Sequence, residues 1–315
     1  MGEKYKPLFK AMVIVLMLSF LLVLLCACGQ VQQETGGADF PLTVTDDLDR
    51  QVTIKEEPQR IVSLVPAGTE ILFALGLDEK IVGVTEYCDY PAAAAAKPKM
   101  GGFSTPSTEL IVAARPDLVL ATPIQKDFIR QMEGTGLAVV AFEAYDLNEV
   151  LAKIRLIGRV TGAVATAEQL VDGMQKRIDA VADKVSGLSE VQKPEVFFEI
   201  WPDPLTTGGA KSFLNSLITA AGGKNIAGDI ERDWVTYSVE MLLARNPEVI
   251  IFSHHGDSRQ TAEDIKARQG WEQVAAIKHN RIGHIVDENL VVRAGPRVVE
   301  GLEQIAAIIH PEFFN

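Results

Sequence analysis

The sequence predicts an α/β fold made of two doubly wound α/β lobes with mostly parallel sheets, joined by one long α-helix. Three observations support this fold class. Residues 165–186 carry apolar side chains at helical spacing and contain no proline. The segments on either side of this stretch resemble each other. Within each of them, short β-branched runs alternate with helical patterns, which is typical of a parallel sheet covered by helices on both faces.

The internal repeat is clearest in two pairs of segments. Residues 107–120 (STELIVAARPDLVL) and 238–251 (SVEMLLARNPEVII) align without a gap, and both have Ser-x-Glu, three apolar residues, Ala, two variable positions, Pro, an acid and three apolar residues. Residues 71–83 and 217–228 form a second pair with one deletion. Helix–proline–strand units also recur by chance in α/β proteins, but two pairs in the same order favour a duplication.

The elements follow from period-2 and period-3.6 patterns bounded by Gly and Pro. In the first lobe we expect a hairpin at 41–54 and strands at 60–65, 81–85, 118–121 and 138–141. Residues 66–69 are expected to lead into an apolar helix that ends at Gly76, and further helices are expected at 107–114, 125–133 and 147–160. In the second lobe we expect strands at 195–200, 249–253 and 282–286, and helices at 212–221, 238–244, 261–268, 271–277 and 296–309. The predicted lobes occupy 45–164 and 188–315, with the linking helix at 165–187.

The first 44 residues are interpreted as a leader and a tether. Three lysines precede an apolar run at 11–25, and a small residue stands directly before Cys28. This pattern predicts a secretory signal at 1–27 and resembles a bacterial lipoprotein box with Cys28 as the lipid-modified first residue. An uncleaved membrane anchor is the alternative, although fifteen apolar residues are short for a span. Residues 28–44 are polar and read as a flexible tether.

Composition excludes several classes of function. The net charge of −12 becomes two units more negative once the signal is removed, which argues against binding nucleic acid or anionic lipid. Of three cysteines, one leaves with the signal, Cys28 is acylated and Cys88 has no partner, so no disulfide framework is expected.

Cys88 is either a soft metal ligand or, more commonly for such a residue, a small buried side chain. The adjacent His254 and His255 point opposite ways on an extended segment, which makes chelation by both awkward.

The loops at the carboxyl ends of the predicted strands form the candidate functional surface. Ligands of parallel α/β sheets bind beyond these ends, so two lobes would enclose a ligand cleft. Aromatic residues are only 7% of the chain, yet many large ones fall in these loops. They can stack on a flat or bulky ligand, or instead anchor their loops to the core. The candidate ligand-binding residues are Tyr87, Tyr90, Phe103, Trp201, Trp234, Tyr237 and Arg293. His254 and His255 are expected near the cleft, and Trp271 in the core.

Glu109 and Glu240 occupy equivalent positions in the two repeats. Each lies in the first turn of a predicted helix, where a carboxylate interacts favourably with the helix dipole. Their symmetric placement at the tips of both lobes also suits docking onto a symmetric partner that carries basic residues.

The chain resembles the substrate-binding proteins of ABC importers for vitamin B12, haem and ferric siderophores. The resemblance is carried by residues 60–77, 87–91, 107–121, 238–251 and 293–306 and covers nearly all of 45–311. It implies two lobes that open and close only slightly about the linking helix. It also implies that one glutamate at the tip of each lobe docks with arginines of the two permease subunits, and these glutamates fall on Glu109 and Glu240.

Within that family, the vitamin B12-binding members match best. Their Asp-Tyr-Pro loop falls on Asp89-Tyr90-Pro91, preceded by an aromatic residue that matches Tyr87. A pocket tryptophan falls on Trp234, six residues before the second docking glutamate. The chain departs from these members where they carry two further phenylalanines, because here Ile200, Trp201 and Leu205 stand with one residue deleted.

The resemblance therefore implies an extracytoplasmic, lipid-anchored monomer that captures a corrinoid such as cobalamin and delivers it to a permease dimer with its ATPase subunits. No catalytic residue, cofactor, protein-bound metal or nucleic-acid partner is expected. The alternatives are a ferric siderophore, for which Arg232 and Arg293 are the best basic candidates, and haem, for which Tyr87 or His254 could be the axial ligand. A bare zinc or manganese ion is disfavoured because all five histidines lie at 254 or later. An exported enzyme is disfavoured because neither G-x-S-x-G nor H-E-x-x-H occurs.

Overall fold

The computed structural model of the protein describes residues 38–254 and 260–314. The predicted signal at 1–27, Cys28 and His255 lie outside these residues, as does most of the predicted tether. Strands β1–β13 are Leu42–Thr45, Gln51–Ile54, Ile61–Ser63, Ile81–Val84, Leu118–Ala121, Ala138–Ala141, Glu195–Glu199, Trp201–Pro202, Leu205–Gly208, Lys224–Asn225, Trp234–Thr236, Val249–Phe252 and Ile282–His284. Helices α1–α13 are Pro66–Ala74, Ala92–Ala95, Thr108–Ala114, Lys126–Met132, Leu147–Thr161, Val164–Val185, Phe213–Ala220, Val239–Arg245, Ala262–Lys266, Ala275–Lys278, Asn289–Val292, Val298–Ile309 and Pro311–Phe314. Single 3-10 turns cover Asp78–Lys80 and Pro123–Gln125.

Helix α6 is one continuous helix, as the apolar spacing predicts. At about 1.5 Å per residue it is roughly 33 Å long. It packs against α5 of the first lobe and against α12 of the second. Its inward side chains join a core that continues beneath both lobes, so the helix is fixed on both sides.

Each lobe is built on a four-stranded parallel sheet. The first has the order β4-β3-β5-β6 and the second the order β10-β7-β12-β13. The central strands are buried along their whole length, as expected for sheets covered on both faces. The predicted fold class, two α/β lobes joined by a long helix with a cleft between them, is confirmed. The predicted hairpin is also present as the antiparallel pair of β1 and β2.

The two repeats have the same local conformation. Helices α3 and α8 are capped by Ser107 and Ser238, whose hydroxyls accept the backbone N–H of the third residue on. Both helices end at a left-handed residue with φ of 46°, which is Arg115 in the first lobe and Asn246 in the second. The left-handed conformation is uncommon for residues other than glycine, so its presence at the equivalent position of both segments supports a duplication.

The acid after each proline ties its strand to the neighbouring one. Asp117 accepts hydrogen bonds from the backbone N–H of Gln59 at 2.8 Å and of Arg60 at 3.0 Å. In the second lobe, Glu248 accepts the N–H of Glu195 at 3.0 Å. The acid of the repeated Pro-acid pair therefore fixes where the two central strands of each sheet begin relative to each other.

Two features differ from the predictions. The small antiparallel sheet β11-β9-β8, whose strands are only two to four residues long, is not among the predicted elements. The predicted helix at 271–277 is wrong, because residues 271–274 form turns and only Ala275–Lys278 is helical. Trp271 is nevertheless in the core, as predicted: it packs edge-on against Phe197 and under the guanidinium of Arg268. This packing holds the backbone at Trp271 in a turn and overrides its local helical pattern.

Candidate functional site

A pocket of about 320 Å³ lies between the two lobes, at the carboxyl ends of the parallel strands. We call it the interlobe pocket. The first lobe contributes residues that follow β3, β4, β5 and β6, and the second contributes helix α11 and the residues after it. The lining residues are Val65, Pro66, Ala67, Tyr87, Phe103, Thr122, Phe142, Glu143, Ala144, Asn289, Val292, Arg293 and Ala294. Three of the predicted ligand-binding residues, Tyr87, Phe103 and Arg293, therefore come together in this pocket.

The loop at 85–91 presents two exposed tyrosines. The side chain of Tyr87 is 53% exposed and that of Tyr90 is 45% exposed. Between them Cys88 is buried, and its Sγ lies 3.1 Å from Oγ1 of Thr69 and 3.2 Å from Oγ1 of Thr85. The sulfur thus holds the middle of the loop to the lobe beneath it. Because its side chain is buried and its sulfur contacts two hydroxyls, we interpret Cys88 as a packing residue.

Arg293 reaches from the second lobe to this loop. Its Nη1 lies 2.6 Å from Oδ1 of Asp89 and 3.4 Å from Oε1 of Glu70, and its Nη2 donates to the backbone carbonyl of Tyr87 at 3.2 Å. The hydrogen bond from Arg293 lowers the pKa of Asp89 below its usual value. The positive charge of Arg293 is therefore already paired with carboxylates of the first lobe.

Trp201 and Trp234 lie on the small antiparallel sheet. Strand β9 pairs with both outer strands: Trp201 is opposite Thr206, and Thr206 is opposite Thr236. Because paired residues and residues two apart share a face of a sheet, both tryptophans lie on the same face, and both are about half exposed. Neither belongs to the described lining of the interlobe pocket. They form a separate aromatic surface on the second lobe.

Tyr237 is not a surface residue, so its expected exposed position in the cleft is wrong. Its side chain is 2% exposed, its hydroxyl donates to the carbonyl of Ile226 at 3.2 Å, and its ring lies 5.6 Å from that of Phe197. The alternation along β11 explains this placement, because Trp234 faces outward and the residue three positions later faces the core. Burial raises the pKa of its phenol.

His254 is also buried, and its expected position in the cleft is wrong. Its Nε2 lies 2.9 Å from Oε1 of Glu199, and that carboxylate is paired with Arg268 as well. Burial would raise the pKa of Glu199, but the hydrogen bonds from Arg268 and His254 outweigh it and lower this pKa. Engaged in this way, His254 is not placed to coordinate a metal in the cleft.

Glu109 and Glu240 are both exposed in the first turn of the equivalent helices α3 and α8. The carboxylate of Glu240 accepts hydrogen bonds from the backbone N–H of Glu240 and from Ser238, and these lower its pKa. Each glutamate is followed by an exposed apolar side chain, Leu110 in one lobe and Met241 in the other. Their role in docking stays a prediction.

Several residues of the site were missed. Phe142, Glu143 and Ala144 line the pocket directly after β6, and the rule that ligands bind beyond the carboxyl ends of strands could have identified them. Glu70 and Arg297 lie beside the pocket in two different lobes. No short-range signal links them, because they are 227 positions apart in the sequence.

Comparison with known proteins agrees with this architecture. The periplasmic binding protein family matches residues 61–288. The chain is 35% identical over 305 residues to the uncharacterized ABC transporter substrate-binding lipoprotein YvrC of Bacillus subtilis, a match that covers 93% of this chain and 95% of YvrC. It is 28% identical over 278 residues to a cobalamin-binding protein of Halobacterium salinarum, covering 86% of this chain and 74% of that protein.

Solved structures agree as well. A possible iron-binding (periplasmic solute-binding) protein of Staphylococcus epidermidis superposes with a TM-score of 0.70 and 32% identity, covering 81% of this chain and 100% of that one.

Two α/β lobes with a pocket between them define the class of two-lobe solute-binding proteins. The chain belongs to the periplasmic binding protein family. One relative is a substrate-binding lipoprotein of an ABC transporter and another is a cobalamin-binding protein, so the predicted resemblance to this family is confirmed. Within residues 38–254 and 260–314, no helix has both the length and the apolar character needed to cross a membrane.

Proposed function

We propose that the protein captures a corrinoid such as cobalamin on the outer face of the membrane, held there by a lipid on Cys28, and delivers it to an ABC permease. It acts in capture and transfer and does not catalyse a reaction. The observation that carries the choice of ligand is the pairing of Arg293. Among the described residues that line the interlobe pocket, Arg293 is the only cation, and Asp89 and Glu70 already neutralise it.

This pairing separates the candidate ligands. A ferric siderophore is often anionic and needs free basic groups facing it. A corrin ring is broad, nearly neutral and rich in amides, so it suits apolar and aromatic walls with a few polar groups. Tyr87, Phe103 and Phe142 supply such walls, while the side-chain carbonyl of Asn289 can accept hydrogen bonds from amides. The cobalamin-binding relative supports the same choice.

Haem is the second candidate, and one observation favours it. Tyr87 is 53% exposed and lines the pocket, so its phenol is available as an axial iron ligand. The other predicted axial ligand, His254, is buried against Glu199. The similarity to a possible iron-binding protein of Staphylococcus epidermidis is compatible with this candidate.

Titration of the purified protein with cyanocobalamin, haemin and a ferric hydroxamate tests the choice of ligand. We expect cyanocobalamin to quench tryptophan emission with the highest affinity, and Tyr87→Ala to weaken its binding about tenfold or more. Phe313→Ala is the control, because Phe313 is an aromatic residue that is 39% exposed but does not line this pocket. A response to haemin alone, with a shifted Soret band that Tyr87→Phe removes, would replace the corrinoid by haem.

Delivery to the permease is tested separately at the predicted docking residues. Charge reversal of Glu109 together with Glu240 is expected to abolish uptake of the ligand by cells while leaving ligand affinity unchanged. Asp127→Arg with Glu263→Arg is the matched control, since both are exposed acids in first helical turns, one in each lobe. A fall in affinity in the Glu109 and Glu240 variant would instead assign these acids to ligand binding.

A further inference from the structure

Five charged residues meet where the two lobes touch, beside the interlobe pocket. The first lobe contributes two acids, and the second contributes two arginines and one acid. We call them the interlobe cluster: Glu70, Asp89, Asp287, Arg293 and Arg297.

Arg297 is the centre of this cluster. Its Nη2 and Nε lie 2.8 and 3.0 Å from the two carboxylate oxygens of Glu70, which is a bidentate pair across the lobes. Its Nη1 donates to Oδ2 of Asp287 at 2.7 Å, within its own lobe. The guanidinium also lies 3.7 Å from the ring centroid of Tyr90. One planar group therefore links both lobes and one of the exposed tyrosines.

Glu70 shows why this contact matters for the spacing of the lobes. It belongs to helix α1 of the first lobe, and its side chain is only 3% exposed. Its partners Arg293 and Arg297 both come from the second lobe. A buried carboxylate deprived of such partners is strongly unfavourable. The charge of Glu70 therefore favours the arrangement in which the lobes remain in contact beside the pocket.

The loop at 85–91 is held from two sides by these contacts. From below, Cys88 is buried between Thr69 and Thr85. From across the cleft, Arg293 binds Asp89 and the carbonyl of Tyr87, while Arg297 covers the ring of Tyr90. Because Asp287 holds Arg297 from behind, the position of Tyr90 depends on residues outside the described pocket lining.

We propose that Glu70, Asp287 and Arg297 are positioning residues for the ligand site. They hold the loop at 85–91 against the second lobe, so that Tyr87 and Tyr90 stand at the spacing that a bound ligand needs. The role requires an arginine, because a lysine cannot form the bidentate pair, bind Asp287 and cover the ring at once. The part of this proposal that concerns ligand affinity rests on the proposed function; the part that concerns the loop does not.

Arg297→Lys tests the proposal, with Arg177→Lys as a matched control. Arg177 also forms a bidentate pair with a glutamate, at 2.8 and 2.7 Å from Glu303, but it joins α6 to α12 away from the pocket. Hydrogen exchange of the amides at 86–90 is measured in the ligand-free protein, and the affinity for cyanocobalamin by tryptophan emission. We expect Arg297→Lys to speed exchange in this loop and to weaken binding about tenfold, and Arg177→Lys to change neither.

Two results would overturn the proposal: loop exchange in Arg297→Lys that equals that of the wild type, or an affinity equal to that of Arg177→Lys. Asp287→Asn provides a second and milder variant, since Arg297 keeps its pair with Glu70, and it should change both readouts in the same direction by less. Because exchange is measured without ligand, a wild-type protein that fails to bind cyanocobalamin would refute the proposed ligand while the loop measurement still decides the positioning role.

Discussion

The two lobes support their exposed aromatic side chains in different ways. Tyr90 lies on a loop whose position depends on the buried Cys88 and on Arg297 of the other lobe. Trp234 lies on β11, where the backbone pairing with β9 supports it from within its own lobe. Contacts from the other lobe therefore help to hold the first aromatic surface, whereas the second is held by its own lobe.

The supporting scaffold, in contrast, is nearly the same in both lobes. Helices α3 and α8 share their serine caps, their left-handed ends and the acid after proline. The lobes diverge mainly in the loops and short strands at the carboxyl ends of the sheets. A duplicated unit can therefore keep its packing while each copy presents different side chains to the cleft.

The largest expected effect concerns the buried centre of the two equivalent helices. Ile111 and Leu242 are both fully buried, so Ile111→Ala and Leu242→Ala should each lower the free energy of unfolding by about 2–5 kcal/mol. Urea unfolding measures this, with the exposed neighbours Val112→Ala and Leu243→Ala as controls of little effect. A loss in one lobe only would contradict the equivalence of the two repeats.

Smaller effects, opposite in sign to each other, are expected at the left-handed ends of these two helices. Arg115 has a φ of 46°, a conformation that is strained for a residue with a side chain, and Arg115→Gly removes this strain. Because glycine also makes the unfolded chain more flexible, the net stabilisation of the protein should be only about 0.5 kcal/mol.

Asn246 tolerates this conformation better, and its Oδ1 accepts the backbone N–H of Ala275 at 2.9 Å. Asn246→Gly should therefore destabilise the protein by about 1 kcal/mol. Urea unfolding of both glycine variants checks the difference in sign, and equal effects would show that the side chain of Asn246 adds nothing.

The smallest effect concerns the pH dependence of the exposed pair between Asp89 and Arg293. The folded protein lowers the pKa of Asp89, so the contribution of this pair is fully present above the usual value near 3.8 and is lost as the pH falls through the lowered value. Asp89→Asn should lower the melting temperature by only about 1 °C at pH 7, because exposed ion pairs contribute little. Calorimetry should show this difference becoming smaller as the pH falls below 3.8. A difference that grows in acid would assign Asp89 another role.

The scaffold could be predicted from the sequence because it depends on periodic, local patterns. The linking helix is predicted at 165–187 and is found at Val164–Val185. The small sheet was missed because Pro202, Pro204 and Gly208 interrupt its pattern. Tyr237 was misplaced because position in a loop was weighed above the alternation along β11. The pairing of Glu70 with Arg297 depends on how two lobes meet, and no pattern within either segment encodes it.

Helix α6 has one further consequence for the kind of cargo the protein accepts. In the described part of the chain, this helix connects the first lobe to the second, and it packs against both. An α-helix bends gently over its whole length and resists a sharp change at one point unless a proline or a similar defect is present. The helix therefore acts as a spacer of fixed length, and it sets the width of the cleft between the two lobes. Molecules that are too thin to touch both walls gain little from entering, whatever their chemistry.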